Sequence, residues 1–268
     1  MREQWVIGNW KMNLGLAASI KLAEILGKGF SEQSWWQRLV TRESFLKVVV
    51  APSCTALLEV GAILQESTIA VAAQNVFWQE KGAYTGEISP LMLLEIGCQY
   101  AIIGHSERRQ FLGETDTMVN QKVKATLAVG LIPILCVGET LEERQKGQYE
   151  YVVMQQLSKA IAGVSLKSDD RILIAYEPVW AIGTNRPVAP DDVKTMNLAM
   201  KHVLYEFLTN EEVQKQCRFL YGGSVTPENV ASFTSNDFIN GVLVGGASLR
   251  SKDFLSIIES VKNTAYAV

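Results

Sequence analysis

The stretch YAIIGHSERRQ, residues 100–110, is a four-residue apolar run closed by a glycine and by one of only two histidines in the chain. A short apolar run bounded by glycine and polar groups is the mark of a strand buried on both faces. Seven other runs share the pattern: WVIGNW (5–10), KVVVAP (47–52), IAVAAQN (69–75), LIPILCVGE (131–139), RILIAYEP (171–178), CRFLYGG (217–223) and GVLVGG (241–246). Between them lie segments with helical spacing and start signals, among them SCTALLEVGAILQ (53–65), SPLMLLEIG (89–97), ETDTMVNQKVKATLAVG (114–130), APDDVKTMNLAMKHVLYEFL (189–208) and TPENVASF (226–233). SPLMLLEIG carries a proline just inside its start.

Strand and helix therefore alternate eight times with no break in composition, which predicts one domain over residues 1–268 with a parallel sheet. Right-handed crossovers allow a closed barrel or an open doubly wound sheet. The strand ends decide between them. They read Asn9 to Lys11, Pro52, Gln74 with Asn75, His105, Gly138 with Glu139, Glu177, Gly222 to Ser224, and Gly245 with Gly246. An open sheet gathers its chemistry at a switch point. Polar groups distributed over the ends of strands one, four, six, seven and eight favour a single-domain α/β barrel of eight parallel strands, whose site lies on the C-terminal rim.

The 268 residues suit one such barrel, about 250 residues being usual. A hydrophobic share of 48% and a charged share of 20% are those of an ordinary globular chain. A net charge of -3, with lysines and arginines dispersed among acids, argues against nucleic acid as a partner. Cys54, Cys98, Cys136 and Cys217 form no Cys-x-x-Cys pair, so neither zinc nor a disulfide framework is expected and a reducing cytoplasm fits. The N-terminal MREQWVIGNWKMN has no signal-peptide apolar region, and no apolar run approaches membrane-spanning length.

At the rim, the glycine pairs in YGGS and VGGA leave the backbone open to an anion, after the two strands where barrels often bind phosphate. Each pair alone is equally well a tight strand-to-helix turn. Glu177 is followed by PVWAIGT (178–184), an apolar segment that suits a lid closing over a ligand and drying the carboxylate beneath it. His105 precedes a polar stretch rather than a core-facing helix. His202 lies on an amphipathic segment and reads as a helix-face residue without function. Carboxylate, imidazole and the Lys11 cation beside a phosphate pocket suit proton abstraction next to a carbonyl. An alternative in another class is a Schiff-base aldolase with Lys11 as nucleophile. Outside catalysis, a barrel retained as a binding scaffold would have no need of all four of Asn9, Lys11, His105 and Glu177.

GNWKMN (8–13), AAQNVFWQEKGAYTGEIS (72–89), IIGHSERRQFLGETD (102–116), PILCVGETLEER (133–144), YEPVWAIGT (176–184), YGGSV (221–225) and GVLVGGASL (241–249) together closely resemble the triosephosphate isomerase family, in family order over nearly the whole chain. The resemblance implies a homodimeric (β/α)8 enzyme of glycolysis and gluconeogenesis that uses no cofactor and no metal. It implies Glu177 as the base, His105 as the neutral imidazole that polarises the carbonyl, a tuning already known for this family, and Lys11 with Asn9 as stabilisers of the enediolate. Gly183, Ser224, Gly245 and Gly246 would hold the phosphate, and Glu107 would support the lysine and histidine. Gln74 and Thr85 would make the subunit contact, Thr85 at the tip of the loop 75–86, whose Phe77, Trp78 and Tyr84 read as exposed aromatics. Cys136 reads as packing. Three features depart from the family pattern: the longer segment 28–46 with Trp35 and Trp36, APSC (51–54) in place of a proline pair, and TNRPVAP (184–190), where Pro187 would restrict the far hinge of the lid.

Overall fold

A computed structural model of the chain describes residues 2–32, 45–184, 188–235 and 237–266. Most of the long segment 28–46, with Trp35 and Trp36, and the hinge residue Pro187 lie outside the described residues. The eight expected strands form: β1 (Gln4–Asn9), β2 (Leu46–Ala51), β3 (Ile69–Ala73), β4 (Tyr100–Ile103), β5 (Ile132–Val137), β6 (Ile172–Tyr176), β7 (Cys217–Tyr221) and β8 (Gly241–Val244). They pair in chain order, all parallel, and β8 returns to β1, closing the barrel.

Alternation along each strand separates two apolar layers. Trp5, Ile7, Val49, Ile134, Leu173 and Leu243 point inward and fill the barrel. Val6, Val48, Ile103, Leu135 and Ile174 point outward and meet the helix faces, where Leu26, Val60, Val123, Leu157, Met200 and Phe254 are buried. Burying residues of this size contributes roughly 1.5–3 kcal/mol each, which is why strands covered on both faces read as unbroken apolar runs.

Helix starts follow the expected chemistry. Ser89 caps the helix Pro90–Glu95 by accepting the Met92 N–H at 3.1 Å, and Thr115 caps Asp116–Ala128 by accepting that of Met118. Thr140 with Glu143 and Thr209 with Glu212 form capping boxes. One expectation is corrected in extent: only Val230–Thr234 of the 226–233 segment is helical, preceded by a turn in which Thr226 donates its N–H to the Asn229 side chain. The stretch after His105 is likewise a short helix, Ser106–Phe111.

Closure imposes one tight contact. Gly241 pairs with Trp5 and has φ +144, and a Cβ there would lie 1.9 Å from the Trp5 carbonyl oxygen. No side chain fits without shifting the β1–β8 seam. Gly241→Ala is expected to cost about 3 kcal/mol, whereas Gly15→Ala, with open space around it, should change stability by a few tenths. Urea midpoints at fixed protein concentration check the pair.

Candidate active site

The closed barrel brings the expected residues to one rim. Asn9, Lys11, His105 and Glu177 line a cavity of about 260 Å³ together with Gly183, Ser224, Gly245 and Gly246. A larger cavity, about 570 Å³, lies beside it between the helices that follow β4 and β5; it shares Glu177 but none of the other seven.

His105 ends the β4 segment and is the N-cap of Ser106–Phe111. Its Nδ1 accepts the Glu107 N–H at 3.2 Å, so that nitrogen carries no proton. That leaves Nε2 as the donor nitrogen of the ring, 3.2 Å from Glu177 Oε1. The other oxygen, Oε2, accepts the Ser106 N–H at 2.9 Å. Glu177 is 1% exposed, with one carboxylate oxygen hydrogen-bonded to main chain and the other facing the imidazole ring. Ser106 is a functional contact that sequence reasoning missed, because a backbone donor leaves no mark on residue type.

Lys11 is the one non-glycine residue with positive φ among the described residues, at 53°. That conformation costs on the order of 1–2 kcal/mol and needs outside support. Asn9 Oδ1 accepts the Lys11 N–H at 3.0 Å, and Gln74 Nε2 donates to the carbonyls of Lys11 and Ala51 at 2.9 and 2.8 Å. Gln74, expected at the subunit contact, therefore has its amide group on its own chain. Lys11 Nζ donates to Glu107 Oε1 at 2.6 Å, as expected for the supporting acid.

The two glycine pairs differ. At Gly222 a Cβ would meet Glu177 Cγ at 2.9 Å, and at Gly223 the Tyr221 hydroxyl at 2.3 Å, so this pair makes room for the protein itself. At Gly246 nothing lies within 4 Å, and at Gly245 only Lys11 is near, so this pair borders open cavity. Gly245 caps the 3-10 turn Gly246–Leu249, whose first N–H groups lack intrahelical acceptors and suit an anion.

Two buried carboxylates frame the site. Glu139 accepts from the Tyr176 hydroxyl, Trp180 Nε1 and Arg144 at 3.2, 2.7 and 3.2 Å, tying the turn Val179–Ala181, in the segment expected to act as a lid, to the ends of β5 and β6. Burial and the Glu139 charge push the Tyr176 phenol well up, so it stays a donor. Glu114 accepts the Gly104 N–H at 2.8 Å, the ammonium of the fully buried Lys122 at 2.8 Å, and Arg108. Lys122 also reaches Asn75 Oδ1 at 2.7 Å, joining β3 to β4. The Cys136 thiol is pushed far up by burial and by the Glu177 charge, consistent with packing. His202 is exposed on Pro190–Tyr205, edge-on to Tyr205, on a helix face as expected.

A carboxylate, an imidazole, a lysine and a glycine-lined cavity end on one barrel rim are the parts of an acid–base enzyme acting beside a carbonyl. The particular family follows from comparison. The triosephosphate isomerase family model matches residues 4–261. The triosephosphate isomerase of Dictyoglomus turgidum is 41% identical over 97% of this chain and 100% of its own. Those of Thermoanaerobacter pseudethanolicus and Dehalococcoides mccartyi are each 44% identical over 96% of this chain, with 99% and 96% of their own lengths covered. The chain belongs to the triosephosphate isomerase family.

Glu114 sets an acid limit. Burial alone would raise its carboxyl, but Lys122 and Arg108 outweigh that and hold it below the ordinary carboxylate range. A depressed carboxyl stabilises the fold above its unfolded-state value, and the contribution is lost as pH falls. Lys122→Met leaves Glu114 with one cation, so it should cost about 3 kcal/mol and shift acid unfolding to higher pH, as read by circular dichroism.

Proposed function

We propose that this chain interconverts dihydroxyacetone phosphate and D-glyceraldehyde 3-phosphate by proton transfer through an enediolate, in glycolysis and gluconeogenesis. Family membership supports the reaction, and the Glu177–His105 pair at 3.2 Å supports the assignment of roles. Glu177 takes the proton from the carbon beside the carbonyl. The C–H electrons form the carbon–carbon double bond, and the carbonyl oxygen takes up the negative charge. His105 Nε2–H and the Lys11 ammonium stabilise that oxygen. Glu177 then returns the proton to the neighbouring carbon, while the hydroxyl proton on that carbon's partner passes to the former carbonyl oxygen across His105 Nε2, so the new carbonyl and the new hydroxyl form together and the step needs no electron carrier. Asn9 holds Lys11 in register, while Gly183, Ser224, Gly245 and Gly246 take the phosphate.

The aldolase alternative needs an uncharged Lys11 amine free to attack; the 2.6 Å contact with Glu107 favours the ammonium instead. Borohydride trapping of substrate on Lys11 would decide for the aldolase. Glu177→Gln preserves shape and removes the base, so turnover should fall by several orders of magnitude with substrate binding largely kept. A coupled assay with glyceraldehyde 3-phosphate, beside titration of a phosphoglycolate-like mimic, checks both, and lost binding with preserved turnover would sink the assignment.

The active form in this reading is a homodimer joined through the loop 75–86. Supporting it, Thr85 is exposed at the loop tip, and Met12, Tyr84, Phe111 and Leu112 are exposed apolar side chains on the loops after β1, β3 and β4, Met12 at 94%. Such a concentration marks an interaction surface. The aromatic content of the loop is smaller than expected: Phe77 is buried, packed on Trp78 and Tyr84 with ring centroids 4.0 and 4.8 Å away, and only Tyr84 of the three is fully outward. Thr85→Arg leaves that cluster intact and is expected to give a monomer with most activity lost; a fully active monomer in light scattering would refute the contact. A reducing cytoplasm suits the four cysteines, which are free, with Cys54 exposed.

A further inference from the structure

The phosphate end of the cavity, in the triose phosphate reading on which this inference rests, is built from neutral donors. Among the described residues, two cationic side chains other than the histidine line the cavity, Lys11 and Arg250. Lys11 is engaged by Glu107 and belongs to the carbonyl end. Arg250 is the C-cap of the 3-10 turn whose N-cap is Gly245, so it stands one turn beyond the glycine pair that opens onto the cavity. Its guanidinium is 66% exposed and its Nε donates to Asp253 Oδ2 at 2.5 Å. Glu228, on the loop after β7, lies within electrostatic range of Asp253. A solvent-facing arginine paired with a carboxylate three residues away is therefore, among the described residues, the exposed positive charge that borders that end of the cavity.

We propose that Arg250 recruits the substrate phosphate at the cavity rim, exchanging its contact with Asp253 for one with the dianion. Arginine suits this exchange, since its planar fork matches phosphate and carboxylate alike. Asp253 competes with the phosphate for the same donors, so the pair sets how strongly the rim attracts anions. Because the guanidinium is exposed, its effect is long-ranged and screened by salt. It acts on capture, kcat/KM, rather than on the proton-transfer step.

The test compares Arg250→Ala, Arg250→Lys and Asp253→Asn with the wild-type chain, using glyceraldehyde 3-phosphate and glyceraldehyde, which has the same carbonyl but no phosphate. Arg250→Ala should lower kcat/KM for the phosphorylated substrate about fivefold at low ionic strength, with the difference shrinking near 1 M salt, where screening acts over about 3 Å. Arg250→Lys should keep most of the capture rate. Asp253→Asn should raise it about twofold, and bind inorganic phosphate more tightly by calorimetry. The losses should be confined to the phosphorylated substrate. Equal losses on both substrates, or an Arg250→Ala chain indistinguishable from wild type at low salt, would overturn the proposal alone. Absence of isomerase turnover in the wild-type chain would overturn the triose phosphate reading and this proposal with it.

Discussion

The seam between β1 and β8 is the constraint on which the rest depends. Gly241 lies against Trp5 so closely that the strand can carry no side chain there. Because that seam closes, the ends of all eight strands share one rim, and residues as distant in sequence as Lys11 and Gly245 come within van der Waals reach. An open sheet with the same strands would hold Asn9 and Ser224 apart. Closure also allows Gly8, outward on β1, to meet Phe254 and Ser248 directly, which draws the last helix onto the first strand.

On that rim the charges are arranged in pairs that differ in purpose. Glu114 and Glu139 are buried and take three donors each, Glu114 over both oxygens and Glu139 on Oε1 alone, so they serve as anchors: one for the turn before His105, the other for the turn Val179–Ala181. Glu177 is as deeply buried but has no lysine or arginine on it: its neighbours are the Ser106 N–H, the His105 ring and the Cys136 thiol. A carboxylate held this way can turn away from one donor toward a ligand without breaking an ion pair. What separates Glu177 from the two anchors is the charge of its partners, not burial, and that is the feature the proposed role as base would use.

The strands, the rim and most of the site were legible in the sequence because the signal is local: a doubly buried strand is a continuous apolar run, and the residue after it stands on the rim. Anchors were less legible. Glu139 was visible as a strand-end acid, but Tyr176 and Trp180 meet it only through the pairing of β5 with β6. Gln74 shows a second limit. Its place at the end of β3 was legible, but sequence carries no direction for a side chain, and the bonds of its amide to two carbonyls of its own chain were not. Phe77 failed for a related reason, since neighbouring aromatics in a polar loop can bury one another. YGGS and VGGA, alike as text, differ because Tyr221 and Glu177 crowd the first and open space faces the second.

The strained backbone at Lys11 links these threads. A lysine on the surface has no reason to hold φ at 53°, and the conformation persists because three strand ends hold it: Asn9 on β1 from the N–H side, and Gln74 beyond β3 from the carbonyl side, itself braced on Ala51 at the end of β2. The cation is thus placed by hydrogen bonds to its main chain before its own ion pair with Glu107 forms. Long flexible side chains are poor at defining a position, since fixing a lysine loses roughly 2 kcal/mol of rotamer freedom. Fixing the Cα instead shortens the range the ammonium must search, and Glu107 then needs only to choose among the remaining rotamers. The same economy governs His105, whose ring is oriented by the N–H of the helix it caps. In both cases the backbone of the closed rim carries the geometry, and the reactive side chain supplies only the charge or the proton.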